Sequence, residues 1–126
     1  MQQHLSIIMP VLNEAATLEV TLSGLQDLRA RGHEIIVVDG GSRDSSVTLA
    51  RKYADRVLMS GAGRALQMNA GAGVASHEIL LFLHADTQLP AQADSLISAA
   101  LEPRAARWGR FDIRLNNKHP LYRCIA

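Results

Sequence analysis

Four short apolar segments, separated by stretches with helical periodicity, most constrain how this chain can fold. They span residues 5–9, 35–38, 57–59 and 79–83, and each is typical of a buried strand. Strands that are apolar on both faces need cover on both faces, and helices between successive strands make those strands run parallel. The alternation therefore predicts an α/β fold with a mainly parallel sheet and helices on both faces.

The segments between the predicted strands carry the signals of helices. Pro10 is expected to close the first strand, with Asn13 as the N-cap of the helix that follows and Gly32 as its stop. The apolar residues of this helix, at helical spacing, are Ala15, Leu18, Leu22 and Leu25. Further helices are predicted over residues 46–53, 64–70 and 93–101. The stretch WGRFDIRL, residues 108–115, predicts a final strand.

Length and composition favour a single domain and disfavour a nucleic-acid partner. A chain of 126 residues is in the range of one domain, which we expect over residues 1–126. The formal net charge is +1, although residues 1–102 carry −4 and residues 103–126 carry +5. Such a basic end is typical of a solvated face, and it leaves peripheral membrane contact open. Aromatic residues make up 4% of the chain and offer few stacking surfaces for bases, so no nucleic acid is predicted to bind.

The cysteine and hydropathy patterns favour a cytoplasmic location. Cys124 is the one cysteine and cannot form an internal disulfide, which fits a reducing compartment. No Lys or Arg precedes the first apolar run, as a secretory signal requires. The longest apolar run, residues 79–83, is far shorter than the roughly 20 residues of a membrane helix.

Ligands of parallel α/β sheets bind beyond the carboxyl ends of the strands, where this sequence has four loops: PVLNE, DGGSRD, SGAGR and HAD. Asp39, at the end of the second strand, could accept hydrogen bonds from a nucleobase imide or from ribose hydroxyls. Gly40 permits a close backbone approach. An Asp-Gly turn that caps the following helix explains the same residues equally well. We expect the four loops to converge on one rim of the sheet.

The last two loops carry groups suited to phosphate and metal. Arg64 opens a predicted helix, whose free N–H groups attract anions, and its guanidinium can make a two-pronged contact with phosphate. Asp86 provides a carboxylate for Mg²⁺ or Mn²⁺, cations that combine one or two protein carboxylates with substrate phosphates. His84 could ligate Mn²⁺, or could instead hydrogen-bond a phosphate or Asp86 itself.

Four ordered stretches, SIIMPVLNE, EIIVVDGGSRDSS, GAGRALQMNAG and LLFLHADTQLP, give the chain a resemblance to a known family. In their order and spacing they resemble the nucleotide-sugar-binding half of family 2 glycosyltransferases with the GT-A fold. The chain is most similar to a bacterial subgroup in which His-Ala-Asp replaces the usual Asp-x-Asp motif. The resemblance implies a Rossmann-like nucleotide-diphospho-sugar transferase fold. It also implies transfer of a sugar from a nucleotide-diphosphate sugar to an acceptor hydroxyl, with inversion and dependence on Mn²⁺ or Mg²⁺.

The resemblance further implies roles for individual residues. Asp86, with His84 as a second candidate ligand, would coordinate the divalent cation that bridges the phosphates, and would thereby stabilise the leaving group. Asp39 would bind the base or the ribose, and Arg64 the base or the diphosphate. The other residues implied at the donor site are Pro10, Val11, Glu14, Gly40, Asn69 and Ala85. Because carboxylates gathered at one rim repel one another, we expect the loss of Asp39 or Asp86 to cost little stability.

Related chains continue past HPLYR into a segment that supplies the presumed general base. The 126 residues therefore resemble the N-terminal part of a GT-A domain without its acceptor-side segment, and we assign no general base. The alternative is a non-catalytic module that binds a nucleotide sugar or associates with itself, because truncation would expose apolar surface that a homo-oligomer covers.

Two other enzyme classes lack a required residue. A dinucleotide-binding oxidoreductase needs G-x-G-x-x-G after the first strand, and MPVLNEAA contains no glycine. A phosphatase with an aspartyl nucleophile needs Asp-x-Asp-x-Thr, and HADTQ has His84 where that nucleophile must stand.

Overall fold

The structure, a computed structural model, describes residues 3–100 and the backbone of two further strands, 110–114 and 121–125. The strands are β1 (Leu5–Val11), β2 (Glu34–Asp39), β3 (Arg56–Met59), β4 (Ile79–Phe82), β5 (Arg110–Arg114) and β6 (Leu121–Ile125). The helices are α1 (Ala15–Ser23), α2 (Gln26–Ala30), α3 (Ser46–Tyr53), α4 (Arg64–Val74) and α5 (Ala93–Ala100).

The strands form one mixed sheet in the order β3-β2-β1-β4-β6-β5. The pairs β1–β2, β1–β4 and β2–β3 are parallel, whereas β6 is antiparallel to both β4 and β5. The predicted α/β fold with a mainly parallel sheet is therefore confirmed. β5 lies within the predicted final strand, and β6 was not predicted because its five residues, LYRCI, show no period-2 alternation.

β1 lies at the centre of the parallel strands and contributes to a core on each face of the sheet. Leu5, Ile7 and Met9 pack in one core with apolar residues of α1, α2, α3 and α5. Ile8 packs on the opposite face, beside α4. Because successive side chains of a strand point to opposite faces, this one fully buried strand requires helices on both sides.

Pro10 does not close β1, which continues to Val11. The carbonyl of Ile8 accepts a hydrogen bond from the Leu83 N–H (2.9 Å), so the even-numbered residues of β1 direct their backbone groups towards β4. The pairing with β4 ends at Ile8 and Phe82. The missing N–H of Pro10 therefore faces a side of β1 where no ladder bond is required.

We predicted from its position that Asn13 caps α1, and this prediction is wrong. Asn13 has a φ of 53°, and its side-chain oxygen accepts a hydrogen bond from the Arg43 N–H (2.7 Å). The N–H groups of Glu14 and Ala15 instead donate to Ser46 Oγ (3.0 Å), at the start of α3, and to Asp44 Oδ2 (3.1 Å), in the loop after β2. The predicted first helix is also divided into α1 and α2, which lie on either side of Gly24 and Leu25.

α4 ends at Val74, four residues beyond its predicted end at residue 70, so Gly71 lies inside the helix. A Cβ atom at Gly71 would lie 2.5 Å from Ile8 Cγ2 and 3.1 Å from Val38 Cγ2. The glycine therefore lets the helix backbone approach the sheet closely, and this contact sets the position of α4. Gly73, also on α4, has no such neighbour within 4 Å.

Gly71→Ala and Gly73→Ala are expected to change stability in opposite directions. Gly71→Ala should lower the free energy of unfolding by about 1–2 kcal/mol, because overpacking against Ile8 outweighs the better helix propensity of alanine. Gly73→Ala should raise it by roughly 0.5–1 kcal/mol, because there the helix propensity acts alone. Urea unfolding of both variants measures these changes. Equal changes in the free energy of unfolding would contradict the close packing of Gly71 against Ile8.

A buried polar cluster ties α5 to β1 and β2 at the amino ends of the parallel strands. The Nδ1 atom of His33 accepts a hydrogen bond from the Leu5 N–H (2.9 Å), so its Nε2 carries the proton and donates to Asp94 (2.9 Å). Arg31 contacts the same carboxylate through two nitrogens, at 3.0 and 3.1 Å. Burial lowers the pKa of His33 from its ordinary value of 6.5, against the opposing effects of the hydrogen bond and charge of Asp94.

This pKa shift predicts a loss of stability in acid. Because the pKa of His33 is lower in the folded chain, the unfolded chain binds the proton first. The contribution of His33 is complete above pH 6.5 and is lost as the pH falls from there towards the lowered pKa of the folded state, by at most about 1.4 kcal/mol per pH unit. His33→Gln should flatten this dependence in thermal melts between about pH 7.5 and pH 5. If the stability of the variant depended on pH as steeply as that of the wild-type chain, His33 would not be the group responsible.

Candidate functional site

A cavity of about 410 Å³ lies at the carboxyl ends of β1 and β4, beside the start of α4. Three of the four predicted loops contribute to it: the loop after β1, the loop that leads into α4, and the loop after β4. Its lining residues are Pro10, Val11, Leu12, Glu14, Gly63, Arg64, Gln67, His84, Ala85 and Asp86. The volume is in the range of small-molecule sites, about 300–1,000 Å³.

The loop after β1 forms one wall of the cavity. Val11 is buried, whereas Leu12 is 41% exposed. The Leu12 N–H donates to Glu14 Oε1 (3.3 Å), which brings the Glu14 carboxylate back over its own loop. This wall therefore combines apolar surface with one carboxylate, and the roles that the family resemblance implies for Pro10, Val11 and Glu14 stay predictions.

The second wall is the amino end of α4. Gly63 has a φ of 138°, a conformation that favours glycine, and the helix begins at Arg64. The N–H groups of the first helical turn have no partner within the helix, so positive charge is presented beside the Arg64 side chain. The structure places Arg64 at the start of the helix that the sequence predicted, and the binding of an anion there stays a prediction.

The third wall, after β4, alternates between exposed and buried residues. His84 and Asp86 are exposed, whereas Ala85 and Thr87 are buried. The Thr87 N–H donates to the His84 carbonyl (3.0 Å), which turns the chain immediately after the strand. This alternation places the two candidate metal ligands on the solvent side.

The metal-ligating side chains at this wall fit a hard cation that is held partly by the phosphate oxygens of a substrate. The described residues contain no group of three or more His, Cys, Asp or Glu side chains able to hold a metal ion by themselves. Asp86 alone offers a carboxylate there, and Mg²⁺ and Mn²⁺ sites often complete such a set with phosphate oxygens and water. His84 is engaged, because Arg64 Nη1 lies 3.0 Å from its Nδ1 and 2.8 Å from its Nε2.

Asp39 lies at the end of β2, beside Val11 in register, but it does not line the cavity. Its buried carboxylate accepts hydrogen bonds from the Gly41 N–H (2.9 Å), the Ser42 N–H (2.8 Å) and Ser42 Oγ (2.5 Å). These bonds hold the turn after β2. Against the earlier expectation, we therefore predict that loss of Asp39 lowers stability, since its removal would take away the charged acceptor of three part-buried hydrogen bonds.

Ser42, through the same turn, supports the first wall. Its Oγ accepts a hydrogen bond from the Asn13 N–H (2.8 Å), beside the bonds that Asp44 and Ser46 make to the start of α1. The loop DGGSRDSS therefore shapes the cavity through its neighbour rather than by lining it.

Gly40 and Asn69 also lie outside the cavity lining, and their assignment to substrate binding stays a prediction. Asn69 is exposed on α4. The residue that holds the loop before α4 is Gln67, which sequence reasoning missed. A signal for it existed, because Gln67 lies one helical turn before Gly71 and so falls on the face of α4 that packs on the sheet.

In the part of the chain whose fold is described, no helix combines the length and the hydropathy that crossing a bilayer requires.

The family model described as Glycosyl transferase family 2 matches residues 6–123. Among curated proteins, the chain is 35% identical over 102 residues to the PGL/p-HBAD biosynthesis glycosyltransferase of Mycobacterium bovis. That alignment covers 75% of this chain and 40% of the relative.

Two solved structures share the fold. One is a mannosyltransferase from Pyrobaculum calidifontis in complex with GDP-Man and Mn²⁺, with a TM-score of 0.65 and 25% identity over 79% of this chain and 32% of the other. The second, S. aureus TarS 1-349 in complex with UDP-GlcNAc, has a TM-score of 0.71 and 21% identity over 83% of this chain and 33% of the other.

The chain thus spans less than half the length of these relatives. With a family match over nearly its whole length and a sheet that places its rim loops as the fold requires, the chain belongs to glycosyl transferase family 2.

Proposed function

We propose that this chain forms the donor-binding part of a glycosyltransferase that moves a sugar from a nucleotide-diphosphate sugar to an acceptor hydroxyl. The observation that carries the proposal is the shared cavity of Arg64 and Asp86, which come from different loops. Arg64 supplies a fixed positive charge, and Asp86 supplies a carboxylate for a divalent cation. A diphosphate is bound by these two kinds of group. The neighbours solved with GDP-Man and with UDP-GlcNAc support this class of donor.

The lining residues suggest how a donor would lie. The apolar surface of Pro10 and Val11 suits the nucleoside, and the diphosphate would then reach the amino end of α4 and the guanidinium of Arg64. Ala85, between His84 and Asp86, would lie beside the ribose. Asp39 and Gly40 would act from the neighbouring turn, at the end of β2.

A divalent cation, Mn²⁺ or Mg²⁺, fits the carboxylate of Asp86, and when bound it would offset the negative charge of the two phosphates. For His84 to join as a ligand, the guanidinium of Arg64 must first leave its ring nitrogens. A phosphate group that attracts Arg64 would produce this exchange. Arginine has no acceptor, so the contact with Arg64 also requires His84 to be unprotonated on the nitrogen it offers.

The transfer breaks the bond between the anomeric carbon and the diphosphate oxygen, which keeps the electron pair. The acceptor oxygen forms the new bond on the opposite face and gives up its proton, so inversion results. Arg64 and the helix amino end would stabilise the departing diphosphate more strongly than the intact donor, because its charge grows as the bond breaks. We assign no residue as the base that takes the proton.

The proposal treats residues 1–126 as one nucleotide-sugar-binding domain, the N-terminal part of a GT-A domain. A binding or self-associating module without catalysis is the alternative, and it predicts donor binding without sugar transfer. The cytoplasmic location, the homo-oligomer and peripheral membrane contact stay predictions.

Asp86→Ala should remove the metal-dependent part of nucleotide binding, because it removes the carboxylate that completes the cation site. We expect UDP or GDP to bind at least about tenfold more tightly with Mn²⁺ than without it, and this difference to disappear in the variant. Calorimetric titration of four nucleoside diphosphates (UDP, GDP, ADP and TDP), with and without Mn²⁺, measures these affinities in the wild-type chain and in the variant. Glu78→Ala, which removes an exposed carboxylate outside the cavity lining, is the control and should leave the metal effect intact. If no nucleoside diphosphate binds the wild-type chain, the proposed function is wrong.

Asp39→Asn should lower the free energy of unfolding by about 1.5–3 kcal/mol, the range for losing hydrogen bonds to a charged acceptor. The new amide keeps one oxygen for the Gly41 and Ser42 N–H groups, but it is uncharged and places an NH₂ group where the second oxygen accepts from Ser42 Oγ. Nucleotide affinity should fall with or without Mn²⁺, because the turn that supports the first wall is disturbed. Asp27→Asn, an exposed carboxylate on α2, is the matched control in urea unfolding. Equal stability of the two variants would contradict the role given to the turn.

A further inference from the structure

We propose that Gln67 is a positioning residue for the diphosphate of the donor. It holds three segments of the cavity rim in register through one side-chain amide. This inference rests on the proposed function, since it concerns the same cavity. It adds a residue that neither the family resemblance nor the sequence motifs assign.

The Gln67 amide is buried and bonds at both ends. Its Nε2 donates one hydrogen bond to the Val11 carbonyl (3.0 Å) and one to the Val38 carbonyl (2.9 Å), at the ends of β1 and β2. Its Oε1 accepts from the Gly63 N–H (3.2 Å). A primary amide has two N–H donors and one carbonyl acceptor, so its donors are fully used.

Gly40 is shaped to receive this amide. A Cβ atom at Gly40 would lie 3.0 Å from Cδ, 3.0 Å from Oε1 and 3.1 Å from Nε2 of Gln67. The Gly40 N–H also donates to the Val11 carbonyl (2.9 Å), the same oxygen that Gln67 binds. The amide therefore lies flat against the backbone that leaves β2, which explains Gly40 without a direct contact with substrate.

The hydrogen bond from the Gly63 N–H to Gln67 links the ends of β1 and β2 to the amino end of α4. Gly63 is the N-cap of the helix and directly precedes Arg64. Gln67 lies four residues later, and its side chain reaches back to the N-cap N–H in the manner of a capping box. The loop 61–63 contains two glycines, which have a large conformational freedom when nothing holds them. Gln67 thus fixes the direction from which the free N–H groups of α4 and the Arg64 side chain meet a phosphate.

Gln26 offers a matched control elsewhere in the chain. Its Nε2 also donates to two carbonyls, those of Leu22 and Tyr53 (both 3.0 Å), and its Oε1 accepts from Arg29 Nη1 (3.2 Å). This amide connects α1, α2 and α3, and it does not line the cavity. Replacing either glutamine with methionine keeps the length of the side chain and removes the same kinds of hydrogen bonds.

The experiment measures stability and affinity together for Gln67→Met, Gln26→Met and the wild-type chain. Binding of UDP and GDP, and of uridine and guanosine, is titrated with Mn²⁺, and unfolding is followed in urea. We expect the diphosphate affinity of Gln67→Met to fall about tenfold or more, while the affinity for the nucleoside changes about threefold or less. Gln26→Met should be destabilised to a similar extent with both affinities unchanged.

Gln67→Glu keeps the acceptor for Gly63 but turns a carboxylate oxygen towards the carbonyls of Val11 and Val38. It should lose diphosphate affinity as Gln67→Met does. If the Gln67 variants fold and bind the diphosphate as tightly as the wild-type chain, or lose nucleoside and diphosphate affinity equally, the positioning role is wrong while the proposed function stands. If the wild-type chain binds none of the four nucleoside diphosphates, both the positioning role and the proposed function are wrong.

Discussion

The structure depends on the complete burial of β1 between two parallel neighbours and two layers of helices. Leu5, Ile7, Ile8 and Met9 have no exposed surface. A strand packed in this way can contribute to a binding site only at its carboxyl end, where Pro10 and Val11 of β1 line the cavity. The connections between the parallel strands pass through helices, so the ends of β2 and β4 reach the same edge as Val11. The cavity is a consequence of this constraint.

The loops at that edge divide into those that face the cavity and those that support it. The loop after β4 presents His84 and Asp86, whereas the loop after β2 uses its polar groups on protein backbone. Asp39 shows the difference most clearly, because three donors already surround its carboxylate. Residues of one motif can thus serve a donor site either by contacting it or by fixing the wall next to it. Hydrogen bonds between neighbouring loops are what distinguish the two roles.

The contact of Arg64 with His84 indicates how charge is arranged before a ligand arrives. The guanidinium contacts the His84 ring, and among the described residues it forms no ion pair with a carboxylate, so its positive charge remains available to an anion. Asp86 is exposed beside it, and the described residues offer no set of ligands that would hold a metal alone. In our proposal a diphosphate therefore brings together the cation and the guanidinium.

The sequence by itself determined the layout of the sheet and the loops at its edge. Apolar runs and helical periodicity were sufficient to predict the four parallel strands and the helices on both faces. Strand-end position and side-chain chemistry then indicated Arg64, His84 and Asp86, whereas Pro10, Val11, Glu14 and Ala85 were implied only by the resemblance to family 2 glycosyltransferases; all seven line the cavity. The tertiary structure decided how α1 is capped and why Gln67 is buried, whereas the Asp39 turn is local and was one of the two readings that the sequence offered. The cap of α1 and the burial of Gln67 depend on hydrogen bonds between residues 29 to 56 positions apart. Local propensity carries no information about such partners, because they meet only after the sheet has brought the strand ends together.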